Sequence, residues 1–267
     1  MKLFFRKYGS GPPLIILHGL YGSSDNWVSI AVRLSSDFTV LLPDQRNHGQ
    51  SPHSQIHTYD AMAADLHELT EELHMDKFLL AGHSMGGKTA MKFALKWPEK
   101  LNGLVIVDVS PFGSPSHDNP FFTEHKQILE SLLSIKPELF NTRTEIEDIL
   151  SSQISSEKTR GFIMKNLKRR SEGNFEWKLN APSLLANLSN ITDGVTDREQ
   201  SNLTITGFPV VFVRGGNSDY ITNEDINLIL KVFPAAEIIT IPETGHWIHA
   251  EKPERIAGIF LDLKAGN

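Results

Sequence analysis

Phe78-Leu79-Leu80-Ala81-Gly82-His83-Ser84-Met85-Gly86-Gly87-Lys88-Thr89-Ala90-Met91 is the stretch whose reading decides the fold. Phe78 to Ala81 is a short apolar run, long enough for a buried strand. Gly82 to Gly87 reads as a turn. Beyond it Ala90, Met91, Ala94 and Leu95 recur at helical spacing. A strand, a tight turn and a helix, with Gly-x-Ser-x-Gly in the turn, form the local setting of an activated serine. Such a turn is crowded. Ser84 must take a strained backbone conformation for its hydroxyl to project above the sheet. Gly82 and Gly86 carry no Cβ to clash where strand and helix converge. The same geometry would aim the Met85 N–H at a developing oxyanion. Gly and Ser each make up about 7% of residues, so the bare pattern arises by chance in about one chain in ten of this length. The reading therefore depends on the flanking strand and helix, and on partners elsewhere in the chain.

Composition narrows the classes. A chain of 267 residues can bury a sizeable core without covalent staples. The formal charge is -6 and no face is dominated by basic residues, so nucleic acid is not an expected partner. The absence of cysteine excludes disulfides, thiolate metal sites and a cysteine nucleophile. Met1 to Tyr8 has no long apolar segment before charges return, which argues against a signal peptide. No apolar run approaches a membrane span, and a soluble cytoplasmic protein is expected. Monomer and dimer both stay open.

Taken in order, Lys2 to Tyr8 reads as an edge strand closed by the turn cluster Gly9-Ser10-Gly11-Pro12. Pro13 to Leu17 is a near-continuous apolar run, the sign of a strand covered on both faces. It ends in the loop His18 to Trp27, whose glycines would let the Leu20 N–H serve as a second oxyanion donor. Trp27 to Leu34 is helical in pattern, and Phe38 to Pro43 is the next buried strand. In the loop Asp44-Gln45-Arg46-Asn47-His48-Gly49-Gln50-Ser51, Arg46 and His48 are expected to hydrogen-bond the loop into shape rather than to act on substrate. Tyr59 to His74 is an amphipathic helix with Met62, Leu66, Leu69 and Leu73 on one side, and Asp60 in its first turn. Lys100 to Pro111 contains a further buried strand, with Asp108 at its C-terminal end. A carboxylate in so apolar a setting needs a partner, either a protonated histidine or a cluster of backbone N–H groups.

After Phe112 the alternation of strands and helices breaks. Gly113 to Pro120 reads as loop. Helical segments follow over Phe122–Ile135, Thr144–Ile154, Glu157–Arg170 and Ser183–Leu188, with no buried strand. The expected layout is a core over 1–112, a helical cap inserted over 113–194, and a second core part over 195–267. Within the cap, Lys165-Asn166-Leu167-Lys168-Arg169-Arg170 is read as a solvated helix face, with docking of a phosphate-bearing acyl-CoA as the sharper alternative. Phe121, Phe122, Phe175 and Trp177 are equally explained as pocket lining or as packing onto the core. Alternation resumes with strands at Phe208–Val213 and Ala236–Ile241, helices at Glu224–Phe233 and Ile256–Leu263, and loops at Arg214–Tyr220 and Pro242–Trp247.

Strands alternating with helices predict an α/β fold: a mostly parallel sheet of seven or eight strands with helices on both faces. His18-Gly19, Ser84, Asp108, the Ser218–Asp219 loop and His246 all fall just beyond strand C-termini. In a parallel sheet those ends share one edge, so the residues converge. His246 is then the candidate base for Ser84, while His83 should point away from it.

These residues carry a resemblance. Gly82-His83-Ser84-Met85-Gly86-Gly87, His18-Gly19, the loop from Asp44 to Ser51 and Gly245-His246 together resemble the α/β-hydrolase fold superfamily over nearly the whole chain. Asp44 to Ser51 and Val107-Asp108-Val109-Ser110-Pro111 resemble, more narrowly, its small bacterial carboxylesterases and acyl-CoA thioesterases, relatives of mitochondrial abhydrolase-domain proteins. The resemblance implies hydrolysis of a small-molecule acyl ester or thioester through an acyl-serine, with no cofactor and no metal. One position departs from the superfamily pattern: after the strand ending at Val213, the usual acid position holds Ser218, with Asp219 one residue on. In the narrower group the acid stands where Asp108 stands. Asp108 is therefore favoured as the triad acid, Asp219 is second, and both Ser218 and Asp219 are expected to support the site. Trp27, Phe112 and Trp247 are expected to line the substrate pocket. The competing functions are a C–C bond hydrolase or menaquinone-pathway-type lyase, a perhydrolase side activity, and a receptor-like binding module with slow turnover.

Overall fold

The computed structural model describes residues 1–113, 120–171, 173–196 and 204–265. Its centre is a seven-stranded sheet. In chain order the strands are β1 (Phe5–Tyr8), β2 (Pro13–Leu17), β3 (Thr39–Pro43), β4 (Phe78–His83) and β5 (Leu101–Val107). A separate ribbon, β6 (Leu167–Arg169) and β7 (Phe175–Trp177), comes next in sequence. β8 (Val210–Gly215) and β9 (Ala236–Ile241) then complete the sheet. The spatial order is β1-β3-β2-β4-β5-β8-β9. Only β1 runs antiparallel, against β3 at the edge. The other pairings are parallel, so the C-terminal ends of β2, β4, β5, β8 and β9 share one edge.

The apolar runs form strands because both faces of the sheet are covered, and alternation with polar residues is not needed. On one face lie α1 (Val28–Leu34) and α11 (Pro253–Ala265), with Ile30, Leu34, Ile256 and Phe260 buried against Leu14, Ile16 and Val105. On the other lie α2 (Tyr59–Glu72) and α3 (Met85–Lys96), with Met62, Leu66, Leu69, Met91 and Phe93 against Ile15, Leu80 and Ile106. Thr58 caps α2 by accepting a hydrogen bond from the Ala61 N–H, and Asp60 pairs with Lys92 and Lys96 of α3. Gly82 and Gly86 are required where β4 turns into α3. A Cβ on Gly82 would stand 2.1 Å from the Gly86 carbonyl oxygen, and one on Gly86 would stand 2.5 Å from that of Leu17.

Between β5 and β8 the described chain forms α4 (Pro120–Ser134), α5 (Arg143–Gln153), α6 (Glu157–Met164), the β6–β7 ribbon, α7 (Ala181–Ala186) and α8 (Leu188–Thr192). The loop expected after Gly113 lies mostly outside the described residues. Leu129, Ile146, Leu150, Ile163 and Leu184 give these helices a shared apolar interior, continuous with the α2–α3 face of the sheet. After β8 come α9 (Asn223–Val232) and the short α10 (Ile248–Glu251).

One expected helix is shorter than its sequence pattern suggests. Glu157–Arg170 reads as helical, but α6 stops at Met164 and the basic run forms β6. The Asn166 amide donates to the Tyr21 carbonyl at 2.7 Å, and the Asn166 carbonyl accepts from the Lys178 N–H at 2.9 Å. Those long-range bonds turn the backbone out of the helix. Lys168 and Arg170 then meet Glu176 at 3.1 and 2.9 Å, so the run is a ribbon partly neutralised by a carboxylate rather than a solvated helix face.

Candidate active site

Ser84 sits between β4 and α3 with φ +52° and ψ -119°, a conformation that L-residues adopt only under constraint. The constraint is visible. The Ser84 N–H donates to the Val107 carbonyl at 3.0 Å, and the Ser84 carbonyl accepts from the Lys88 N–H at 3.0 Å. The residue is thus pinned on one side to the neighbouring strand and on the other to the first turn of α3.

Asp108 also has positive φ, +52°, and is fully buried. Its N–H donates to the Val213 carbonyl at 2.8 Å, which extends the β5–β8 pairing past the strand end. One carboxylate oxygen accepts the Gly215 N–H at 2.9 Å. The other meets His246 Nδ1 at 2.8 Å and the Ser218 hydroxyl in a short hydrogen bond. The Ser218 oxygen in turn accepts the Tyr220 N–H at 3.3 Å. The sequence suggests few donors for Asp108 from nearby loops. The structure supplies two, the N–H of Gly215 at the end of β8 and the hydroxyl of Ser218 in the loop that follows. Asp219, the alternative acid, is exposed at the wall of the cavity in front of Ser84.

Two further contacts hold His246. Its ring stacks on Tyr220 with centroids 3.6 Å apart and planes 14° from parallel, and Tyr220 also contacts Phe121 of α4 at 4.2 Å. The His246 carbonyl is bonded to His83 Nε2 at 2.8 Å. Burial, reinforced by the neighbouring His249 and His246, holds the His83 imidazole well below the ordinary histidine range. His83 is therefore neutral, with its proton on the Nε2 that donates to that carbonyl. Its Nε2 is thus engaged with the backbone of the His246 loop. His249 is buried against Trp27, centroids 4.7 Å apart, and burial lowers it to about 3.

The loop after β2 comes up beside Ser84. A Cβ added to Gly19 would lie 3.3 Å from the Ser84 Cβ. Gln45 fixes this loop: its N–H donates to His18 Nε2 at 2.9 Å, and its side-chain amide donates to the His18 carbonyl at 2.7 Å. Asp44 braces the same region by accepting the Ser24 and Gln50 N–H groups. Arg46 forks onto both carboxylate oxygens of Asp65, at 2.6 and 2.8 Å, and His48 Nδ1 bonds the Arg46 carbonyl at 2.9 Å. Arg46 and His48 are thus engaged in shaping the loop. Asp44 and Gln45, which the sequence reading did not single out, do as much; their signal was only their place directly after a buried strand.

Two cavities meet at Ser84 and share Leu20, Glu124, His125 and Tyr220 in their walls. The larger, of about 510 Å³, adds Met85, Phe112, Phe121, Lys88 and Asp219. The smaller, of about 220 Å³, adds His246, Trp247, Phe162 and Ile128. Leu20, Met85 and Phe112 stand in the wall of the larger cavity, and Leu20 and Trp247 in that of the smaller. Trp27 does not line either cavity; it is 1% exposed and packs with α1 and α11 on the far face of the sheet. Of the four cap aromatics, Phe121 alone reaches these walls. Phe175 is buried in the core, and Phe122 and Trp177 pack against it. Among the described residues, no group of three His, Asp or Glu side chains is placed to hold a metal ion, and no helix is long and apolar enough to cross a membrane.

Comparison with known proteins gives a consistent picture. Residues 12–253 match the family model described as alpha/beta hydrolase fold. The sn-1-specific diacylglycerol lipase ABHD11 of Danio rerio is 38% identical over 247 residues, spanning 92% of this chain and 76% of that protein. Esterase YbfF of Escherichia coli is 30% identical over 244 residues, spanning 91% and 89%. A solved structure of a marine microorganism esterase superposes with a TM-score of 0.93 at 44% identity, over 98% of this chain and 99% of that one.

Proposed function

The chain belongs to the alpha/beta hydrolase fold family, and from that premise we propose that it is a serine carboxylesterase acting through an acyl-serine on Ser84. One observation carries the mechanism. The His246–Asp108 contact of 2.8 Å sits at the strand ends, and His246 lines a cavity that Ser84 also lines. His246 Nε2 takes the Ser84 proton as the oxygen attacks the ester carbonyl, and returns it to the departing alcohol. Water repeats the sequence on the acyl-enzyme, releasing the carboxylic acid and restoring Ser84. Asp108 holds the proton on Nδ1, so that Nε2 is free to accept, and it stabilises the imidazolium that forms. The N–H groups of Leu20 and Met85 take up the charge on the tetrahedral intermediate.

Residues 113–194 act in this reading as a cap over the core halves 1–112 and 195–267. Pro120, Phe121, Glu124, His125, Ile191 and Thr192 supply its share of the larger cavity wall. The ester is the favoured substrate over a CoA thioester. The basic run that could meet a CoA phosphate is partly neutralised by Glu176, and exposed Glu124, Asp219 and Glu224 stand at the larger cavity. The relatives named as esterases and as a diacylglycerol lipase support the ester class. A panel of p-nitrophenyl esters of graded chain length, run beside acyl-CoAs, tests the proposal. Turnover of the esters is expected. Turnover of acyl-CoAs alone, or of neither, would overturn it.

A further inference from the structure

Lys88 is a charged side chain that the esterase mechanism does not use. It lies one turn along α3 from Ser84, lines the larger cavity, and is 7% exposed. Its ammonium donates to the Thr192 and Asp193 carbonyls at the end of α8, the second in a short hydrogen bond. It also lies 5.7 Å from the centre of the Tyr59 ring. An ammonium has three donors. The third has no hydrogen-bond partner among the described residues, and no carboxylate there lies within ion-pair distance of it.

The arrangement leaves a positive charge buried beside neutral oxygens. Two carbonyls can be tied by an uncharged amide, so the tie alone gives no reason for a cation. Burial of a charge without a counter-charge is costly. Here burial lowers the ammonium to about 8, with the charge of Asp193 opposing the shift. Other groups at this end of the cavity do not neutralise Lys88. Tyr59 is spent on the Ile191 carbonyl at 2.6 Å. His125 of α4 is pushed down to about 4, by burial and by the charges of His246 and Lys88, and is neutral. Asp225 is engaged by Ser110 and by the Thr222 backbone and hydroxyl at the start of α9. Glu124, Asp219 and Glu224 are exposed, where water and salt screen them.

Resting on the esterase reading, we propose that Lys88 forms a subsite for a substrate carboxylate, so that the preferred substrates are hemi-esters of short dicarboxylic acids. Four residues of α-helix separate Ser84 and Lys88 by about 6 Å along the axis, and helical side chains lean back toward the N-terminus. A carboxylate two or three carbons from the ester carbonyl spans that gap. Lys88 is the one Lys or Arg among the described residues lining this cavity, which matches a ligand with one free carboxylate, the other being the ester that Ser84 attacks.

The test compares monoethyl succinate with ethyl pentanoate in the wild type, Lys88→Met and Lys88→Gln, where the Gln amide can keep a hydrogen bond to the cap. The ratio of kcat/KM for the hemi-ester over the neutral ester is expected to fall about ten- to hundredfold in both variants, the range of one lost charged hydrogen bond, and to fall through KM. In the wild type, KM for the hemi-ester should rise as pH passes 8 and the ammonium loses its proton, while KM for the neutral ester should not follow. Calorimetric binding of monoethyl succinate to Ser84→Ala, with and without Lys88→Met, reads the subsite without turnover. Lysine-dependent binding with no turnover of any ester would remove the esterase reading and leave the subsite standing. An unchanged ratio, an equal loss on both esters, or binding indifferent to Lys88 would overturn the subsite and leave Lys88 as a tie to α8.

Discussion

Replacing Asp108 with Asn should disable the site by a route that the hydrogen bonds define. Backbone strain is not the cause, since Asn tolerates positive φ. The Gly215 N–H can only donate, so the amide oxygen must face it, at the position now 2.9 Å away. The amide NH2 is then forced onto the side of His246 Nδ1, now 2.8 Å from a carboxylate oxygen. A donor facing Nδ1 requires Nδ1 to accept, and the ring proton moves to Nε2, toward Ser84. His246 then begins in the tautomer that cannot take the serine proton. The negative charge that balances the imidazolium is also gone. Together these effects should cost about two to four orders of magnitude in kcat/KM, or roughly 3–5 kcal/mol of transition-state stabilisation. Asp219, exposed and without a bond to His246, should lose less than about tenfold on change to Asn. Ser218→Ala removes a hydroxyl from Asp108 and should fall between the two. Matched kinetics on one neutral p-nitrophenyl ester, with circular dichroism to confirm folding, reads all three. If Asp219→Asn proves the more damaging, or Asp108→Asn retains more than about a tenth of wild-type activity, the tautomer reasoning is wrong.

Other outcomes follow from the packing around the site. Tyr220→Leu should lower kcat about three- to tenfold by removing the face stacked on His246, whereas Tyr220→Phe should keep most of it; equal losses would show that the hydroxyl matters instead. Phe121→Ala should shift the acyl-chain preference, while Trp27→Ala should leave that preference alone and cost about 3–5 kcal/mol of stability in urea titration. His57 and His249 are both lowered to about 3, first by burial, so the unfolded chain binds their protons near 6.5 and the native state does not. Stability should therefore fall as pH drops from 6.5 toward 4, by up to about 1.4 kcal/mol per pH unit for each residue, and His249→Phe should flatten the slope. A urea midpoint that stays level over that range would contradict neutral burial.

The central sheet was legible because its strands are buried on both faces and read as unbroken apolar runs. Ser84, Asp108 and His246 were legible because a parallel sheet gathers its strand ends, so position after a strand carried the information. Long-range bonds were not legible. The turn at Asn166 depends on the Tyr21 carbonyl far away in sequence, and a three-residue strand is too short to show alternation. Trp27 looks like a pocket aromatic because it follows a strand-end loop, yet the one-turn 3-10 helix it ends swings the indole to the far face of the sheet. The donors around Asp108 were hidden where β8 passes into a Gly- and Ser-containing loop whose backbone path no local pattern fixes.

The claim on which everything else depends is that Ser84 carries the acyl group. A serine-directed alkyl phosphonate, followed by peptide mass spectrometry, measures this directly. The expected result is a single adduct on the peptide containing Ser84, activity lost in step with labelling, and no label or turnover in a folded Ser84→Ala variant. An adduct on another residue, with ester hydrolysis surviving in Ser84→Ala, would contradict it.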